Sequence, residues 1–424
     1  MLREAVRLIE HHQVAGMRRG PSGGLFVRAP DARPATRALV IFLEYIGTTA
    51  EDLMHARCLL EPAAARLAAA RIGEAGIERL RRTVAEETER RHEPGIFAQD
   101  VPHVLVGELS GNPALHLFID VLARLTARYA HATGRVPKEE VARGKDEAHS
   151  AHLTIVDAVI AGDTGKAEAA TAGHLEEVTD WLPAHRGRRG GRKAARLLEE
   201  PEAKLAEVVA ARIRDEIARR GWPVGQVLGS EADLLARQGV SRSVLREAVR
   251  LLEYHSVALM RRGPGGGLVV TAPDPGASIR SMALSLDYRG VTSEDLHAVR
   301  DAVELGTLER VMARRDAPEV AARLGAVIAR SEGKAPVPAA SDTFHTELAD
   351  LSGNPVLGLF LRILTELWTR HRANSPTAAE PGPAGAAEAA HVHRGILQAI
   401  LDGDEGVARH RMRRHLAALT AWYD

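Results

Sequence analysis

Apolar positions recur along most of this chain at the three-to-four-residue spacing of amphipathic helices. From 203 to 219 they fall at Leu205, Val208, Val209, Ile213 and Ile217, and Gly221 with Pro223 ends the run. Ser230, with Asp233 three residues on, predicts the cap of a second, short helix. A turn containing Gly239 follows. Ser241 then caps a third helix to about Tyr254, with Val244, Leu245, Ala248, Leu251 and Leu252 on its inner face. The period changes in "VALMRRGPGGGLVVTAP", where two β-prone runs flank a Gly-rich tip and predict a hairpin. Residues 276–424, like 34–182 before them, return to helical spacing as six or seven helices with short breaks. The expected fold is mainly α: a winged helix-turn-helix with a small β-hairpin wing, plus an all-α antiparallel bundle.

The pattern is written twice. "LREAVRLIEHHQVAGMRRGPSGGLFV" begins at Leu2 and returns at Leu245 as "LREAVRLLEYHSVALMRRGPGGGLVV". "YIGTTAEDLMHAR" answers "YRGVTSEDLHAVR", and "ELSGNPALHLF" answers "DLSGNPVLGLF". The offset is 243 at the front and 241 at the back, so this is a tandem duplication of a long unit, not a solenoid. The expected domains are a truncated winged helix (1–30), a first bundle (31–184), a basic linker (185–202), a complete winged helix (203–273) and a second bundle (274–424). Met1 falls where the second copy has Val244. One expectation is an upstream coding start, because GTG reads as valine inside a gene and can initiate as methionine. On the truncated scaffold Arg3, Arg7, Arg18 and Arg19 are expected to bind DNA weakly or not at all.

Composition narrows the class without choosing it. The 424 residues are 45% hydrophobic and 26% charged, with formal net charge zero, as in an ordinary soluble protein. Net neutrality argues against a protein basic throughout but permits a local basic face. Cys58 stands alone, so no internal disulfide forms and a reducing, cytoplasmic setting is expected. No apolar run approaches the roughly 20 residues that span a bilayer, and no signal peptide is recognised.

Arg242, Arg246 and Arg250 recur every four residues on one face of the third helix, outside its apolar face. Arg261 and Arg262 lie at the hairpin tip with Gly263, Gly265, Gly266 and Gly267. Guanidinium forks suit phosphate oxygens and the guanine edge, and glycines let a backbone approach closely. Ser241, Arg242, Arg246, Arg250, Arg261, Arg262, Gly265 and Gly266 are the candidate DNA contacts. The alternative is a solvated arginine face paired with Glu247 and Glu253. The stretch "SEADLLARQGVSRSVLREAVRLLEYHSVALMRRGPGGGLVV" resembles the winged helix-turn-helix of GntR-family transcription regulators, with their S-R-x-x-L-R-E-A pattern and Gly-rich wing. The resemblance implies that Arg242 and Arg246 touch DNA and that the wing glycines approach the minor groove. Ala232 stands where that family often has an arginine.

The bundles carry histidines at matched heights. His345 lies about 8 residues before the "SGNP" turn, in which Asn354 caps the next helix and Pro355 takes its first position. His393 lies about 9 before the "LDGDEG" turn and His415 about 11 after it. In antiparallel helices the three imidazoles then stand roughly 12–16 Å from one end of the bundle. His103, His152 and His174 repeat the pattern, with 22 residues between the last two in both halves. Asp342 and Asp100 precede the first histidine by three residues, one helical turn. Three histidines and a carboxylate suit a divalent metal ion, zinc first, with nickel or manganese as alternatives. The alternative is a set of structural histidines satisfied by hydrogen bonds. His149, His371, His391 and His410 are read as surface or outer residues.

The bundle resembles the FCD ligand-binding domain of the FadR subgroup, in "R-x-x-x-E" (Arg57 and Glu61, Arg300 and Glu304), "FH…LSGN" and "H-x-x-I…M-x-x-H-L". The resemblance implies a metal held by an aspartate and three histidines, with a small carboxylate effector bound to it. That family usually places the aspartate four residues before the histidine, where Ser341 and Gln99 stand here. Pro102 replaces Phe344 in the first copy and is expected to distort that site. Arg300 and Arg57 either meet the effector carboxylate or pair on the helix surface with Glu304 and Glu61. The function expected is a metabolite-responsive transcription regulator, more often a repressor in this family. It would act on a double-stranded operator as an internal pseudo-dimer, a homodimer or both. A metal-dependent enzyme is the rival class. No general base or nucleophile set accompanies the histidines, so no enzyme is expected.

Overall fold

The computed structural model describes residues 15–91 (except 19, 21 and 31), 101–130, 137–184, 205–332 (except 264), 340–374 and 383–421. The linker, Arg3, Arg7, Arg19 and Asp100 lie outside the described residues, as does the side chain of Asp342.

The second copy opens with the complete head. Helix α8 (Leu205–Arg219), α9 (Glu231–Gln238) and α10 (Arg242–Tyr254) pack with strands β3 (Ala258–Arg261) and β4 (Gly267–Val270). Ser230 and Asp233 form the reciprocal capping box at the start of α9, and Gly239 ends that helix at φ 65°. Ser241 caps α10, its Oγ accepting from the Val244 amide. β3 and β4 pair antiparallel from Ala258–Val270 to Arg261–Gly267. The segment 225–228 runs beside β4, with the Leu228 amide donating to the Leu268 carbonyl at 2.7 Å. Ile213, Ile217, Leu234, Leu245, Leu252 and Leu268 make the head's core.

In the first copy only the hairpin is described: β1 (Ala15–Arg18) and β2 (Gly24–Val27), in the same register. Its surroundings differ. All four residues of β4 are buried, whereas Leu25, Phe26 and Val27 are exposed, Val27 by 88%.

Seven helices make each bundle among the described residues. The first copy has α1 (Arg33–Tyr45), α2 (Ala50–Arg71), α3 (Glu74–Arg90), α4 (Val101–Leu109), α5 (Pro113–Ala130), α6 (Lys138–Ile160) and α7 (Thr164–Ala184). The second has α11 (Gly276–Tyr288), α12 (Ser293–Arg314), α13 (Pro318–Glu332), α14 (Ala340–Ser352), α15 (Pro355–Asn374), α16 (Pro383–Leu401) and α17 (Glu405–Ala421). Thr49 with Asp52, and Thr292 with Asp295, build matching capping boxes on the long helices α2 and α12.

The two bundles share one core. Leu39, Leu60, Phe118 and Leu122 pack with Met282, Val303, Phe360 and Leu364 in a single apolar cluster. The "SGNP" turns join across it. Asn354 caps α15 through Oδ1, which accepts from the Val356 and Leu357 amides, while its Nδ2 donates to the Asp52 carbonyl at 3.0 Å. Asn112 does the same for α5 and donates to the Asp295 carbonyl at 2.9 Å. The fit is not perfectly two-fold. A Cβ on Gly306 would collide with Leu59 Cδ1, and the aligned positions are Ala63 and Ala302. With glycine at 306, α12 closes on Leu59 without moving its side chain.

The complete head leans on the first copy's bundle. Ile41 of α1 is buried in the head core, and Tyr45 meets the Trp222 ring edge-on with centroids 5.4 Å apart. Trp222 holds φ 52°, uncommon for a bulky residue, and its amide donates to the Ile217 carbonyl at 3.1 Å.

Candidate metal centres and DNA-reading head

Helix periodicity brings each histidine trio together. In the first copy His103 comes from α4, His152 from α6 and His174 from α7; in the second, His345 comes from α14, His393 from α16 and His415 from α17. All six are buried, and one ring nitrogen from each member of a trio lies within 4.8 Å of the others. His103 Nε2 and His152 Nε2 are 3.1 Å apart. His415 Nε2 is 3.0 Å from His393 Nε2 and 3.2 Å from His345 Nε2.

The outer nitrogens decide what sits between these. His103 Nδ1 faces Glu61 Oε2 at 2.6 Å and His152 Nδ1 faces Glu87 Oε1 at 2.7 Å. His345 Nδ1 makes a short contact with Glu304. Burial works to raise the Glu61 and Glu304 carboxyls. Arg57 and His103 overcome it at Glu61, and His345 and Arg300 at Glu304, bringing each down to about 2. Glu87 is lowered too: His152 and His149 outweigh its burial. An ionised carboxylate only accepts, so the Nδ1 atoms donate. A ring that donates through Nδ1 can present its Nε2 lone pair. Nitrogens facing each other at such distances share either a proton or a cation. The donor set therefore fits a metal ion. Metal–nitrogen bonds of about 2.1 Å set nitrogens about 3.0 Å apart at right angles and about 3.4 Å apart at the tetrahedral angle, a range that brackets most of the spacing found. Burial first, then neighbouring histidines, hold His174 and His393 down to about 2; burial and His345 hold His415 down to about 3. All three stay in the neutral form that ligates.

Glu61, Glu87 and Glu304 are the residues that sequence reasoning missed as parts of these sites. Arg57 and Arg300 were expected either in an effector cavity or in a surface pair. They pair with Glu61 and Glu304, but in the interior: Arg57 Nε to Glu61 Oε1 is 2.5 Å, and Arg300 Nε to Glu304 Oε1 is 2.6 Å. Arg57 also donates to Thr126 at 3.1 Å, while the Arg300 guanidinium lies 3.7 Å from the Trp368 ring centroid. Each arginine orients the carboxylate that orients a histidine. Pro102 is buried in described α4, beside His103. His149 is buried against Glu87 and Thr88.

On the head, Arg242, Arg246 and Arg250 are exposed along α10. Arg246 pairs with Glu231 of α9 at 3.2 Å, not with Glu247 or Glu253. Glu253 instead accepts from the Met260 amide at 3.0 Å and braces the wing against α10. Arg261 and Arg262 are exposed at the tip. The closest approach at the wing glycines is to the head itself. A Cβ on Gly266 would collide with the Arg261 carbonyl oxygen, and one on Gly267 would stand 2.5 Å from that of Gly229.

Residues 205–270 match the gntR family of bacterial regulatory proteins, and residues 52–177 and 295–418 each match the FCD domain. A putative L-lactate dehydrogenase operon regulatory protein of Escherichia coli (strain K12) is 28% identical over 224 residues, covering 50% of this chain and 84% of the relative. The same-named protein of Shigella flexneri matches equally. Among solved structures, Streptococcus agalactiae GntR aligns with 51% of this chain and 99% of its own, at 24% identity and TM-score 0.39. No helix among the described residues is long and apolar enough to cross a membrane. The chain is a GntR-family transcription regulator carrying a winged helix-turn-helix at residues 205–270 and two FCD effector-binding domains.

Proposed function

We propose that this regulator is a repressor whose operator affinity is set by a small carboxylate metabolite binding at a metal ion in the helical bundle. The observation that carries the reading is the convergence of three imidazole nitrogens in each bundle, with the outer nitrogens of His103, His152 and His345 on carboxylates. His345, His393 and His415 would hold the ion in the second copy, with Asp342 a candidate fourth ligand; His103, His152 and His174 would do so in the first, with Asp100. Zinc suits these ligands best, nickel or manganese next. The bound ion would supply positive charge to receive the carboxylate.

The head's own residues do the rest. Ser241 caps α10 and fixes its entry, so Arg242, Arg246 and Arg250 face a major groove together. Arg261 and Arg262 reach phosphates from the wing. Phosphate contacts make such binding salt-dependent. Ile41, Tyr45 and Trp222 join α1 to the head, so a shift of packing in the bundle changes the head's orientation. Operator affinity then moves by the effector's differential binding to the two states. The complete head of residues 205–270 would read one half-site, and a two-fold operator takes a second head.

The test is fluorescence anisotropy of duplexes from the promoters flanking the gene, with the full chain, with and without a carboxylate panel, and with a chelator. The reading requires a preferred duplex, released by one carboxylate and made indifferent to it by the chelator. Equal binding to all duplexes at moderate salt would end it.

A further inference from the structure

The two histidine centres stand in different surroundings. The first has little room beside it. The cavity beside it, lined by Pro102, Val106, Ile119 and Ile155, holds about 10 Å³, room for one water. Two carboxylates back its ligands: Glu61 behind His103, and Glu87 behind His152, itself held by His149 at 3.1 Å. Arg57 pairs with Glu61. In the helix register that aligns buried Leu80 with buried Leu324, Ser331 replaces Glu87 in the second copy.

The second centre has aromatic walls and an open flank. Phe344, aligned with Pro102, stacks on His393 with centroids 4.0 Å apart and planes 7° apart. Trp368 lies under Arg300 where the first copy has Thr126. His415 lines both the centre and a groove of about 830 Å³ between α16 and α17. Around the groove stand His391, Arg394, His410, Arg411 and Arg414, with Glu388 the one carboxylate among the described lining residues. Arg411 is held across it by the Gly395 carbonyl. The aligned residues of the first copy are Ser150, Leu153, Ala169, Ala170 and Gly173, and Glu168 stands where α17 has Arg409. One duplicated helix pair has gained cations around its histidine; the other has none at those positions.

We infer that the centres divide the work: the first is a closed, tight divalent-metal site, and the second alone admits a polyanionic small molecule through the basic groove of α16 and α17. The inference rests on the proposed carboxylate response and assigns it to one centre. Two outer carboxylates favour a dication and disfavour an anion beside it. Glu304, already paired with Arg300, and the three groove arginines favour the anion. A ligand bearing two or three carboxylates, or a carboxylate and a phosphate, engages the ion and the arginines together.

The experiment uses the full chain with zinc and citrate as probes. Zinc titration against a competing chelator is expected to show two steps. Glu87→Gln weakens the tighter step about 10- to 100-fold and leaves the other. Citrate added to the zinc-loaded chain is expected to bind once per chain, at least tenfold more weakly in R411A/R414A, whose side chains are exposed and whose loss spares the fold. His103→Ala keeps the citrate step and His393→Ala loses it. Two equal zinc sites, no citrate binding, or unchanged affinity in R411A/R414A would overturn the inference. Two citrates per chain, one at each centre, would overturn it while leaving the carboxylate-responsive reading intact. A chain that binds neither zinc nor citrate loses both.

Discussion

Phe118 and Phe360, which occupy aligned positions in the two copies, stack face to face with ring centroids 4.0 Å apart and planes 3° apart. The pseudo-two-fold axis of the chain passes between them, and both are fully buried. Replacing either by alanine opens a cavity where the copies meet and is expected to cost about 3–5 kcal/mol. Urea denaturation of Phe118→Ala should show a lower midpoint; an unchanged one would mean the halves fold without this contact.

Glu304→Gln removes the acceptor shared by Arg300 and His345. Zinc affinity of the second centre should fall about 10- to 100-fold. Competition with a chromogenic chelator measures it, and full retention would show that the carboxylate does not orient the ligand.

The metal-free chain should lose stability as pH falls below about 6.5. His174, His393 and His415 titrate lower in the folded chain than in the unfolded one, so the unfolded state takes up protons first. His393 sets the window: its stabilising neutrality is complete above about 6.5 and is lost progressively toward its folded value of about 2. The Glu61 and Glu304 carboxylates, also lowered to about 2, add a second loss below about 4.5. Thermal midpoints recorded from about pH 8 to pH 4 should fall steadily once the unfolded histidines begin to protonate. A flat profile would contradict the burial of these rings.

Arg246→Ala and Arg242→Ala should each weaken operator binding by about 1–3 kcal/mol if they read bases. Arg261→Ala should instead lower the salt slope by about one and weaken all duplexes alike. Anisotropy across a salt series separates the two. Unaltered binding in all three variants would remove α10 and the wing from the interface.

Tyr45→Ala and Trp222→Ala break the edge-on contact between bundle and head. A double-mutant cycle should give a coupling of about 0.5–1.5 kcal/mol in stability. Both variants should still bind operator but respond less to the effector. A full response would place the route between bundle and head elsewhere.

Much of this was legible in the chain because it is local. Ser230 with Asp233, Ser241, and the Asn354–Pro355 pair are caps, and a cap is decided within about four residues. Histidine heights followed from counting residues to a turn. Burial of the Arg300–Glu304 pair was missed, although a signal existed: both lie on the stripe of Leu296, Val303, Thr307 and Val311, every one of them buried. Charges on an apolar stripe mark a paired interior. Glu87 carried no such signal, because its partners lie more than 60 residues away on α6. Nor could capping reveal that the amide end of Asn354 crosses to Asp52, which only the docked copies place within reach.

Leu59 against Gly306 has a consequence for ancestry. A homodimer repeats every substitution on both sides of its axis, so a large residue facing a small one must appear twice. Fusion lifts that rule: one junction here sets leucine on glycine while its counterpart positions are both alanine. Two first halves would oppose Leu59 to Ala63 and crowd; two second halves would oppose Ala302 to Gly306 and leave a void. Each half has thus become a lock for the other. Separately expressed halves that sorted at random would show that this key has no teeth.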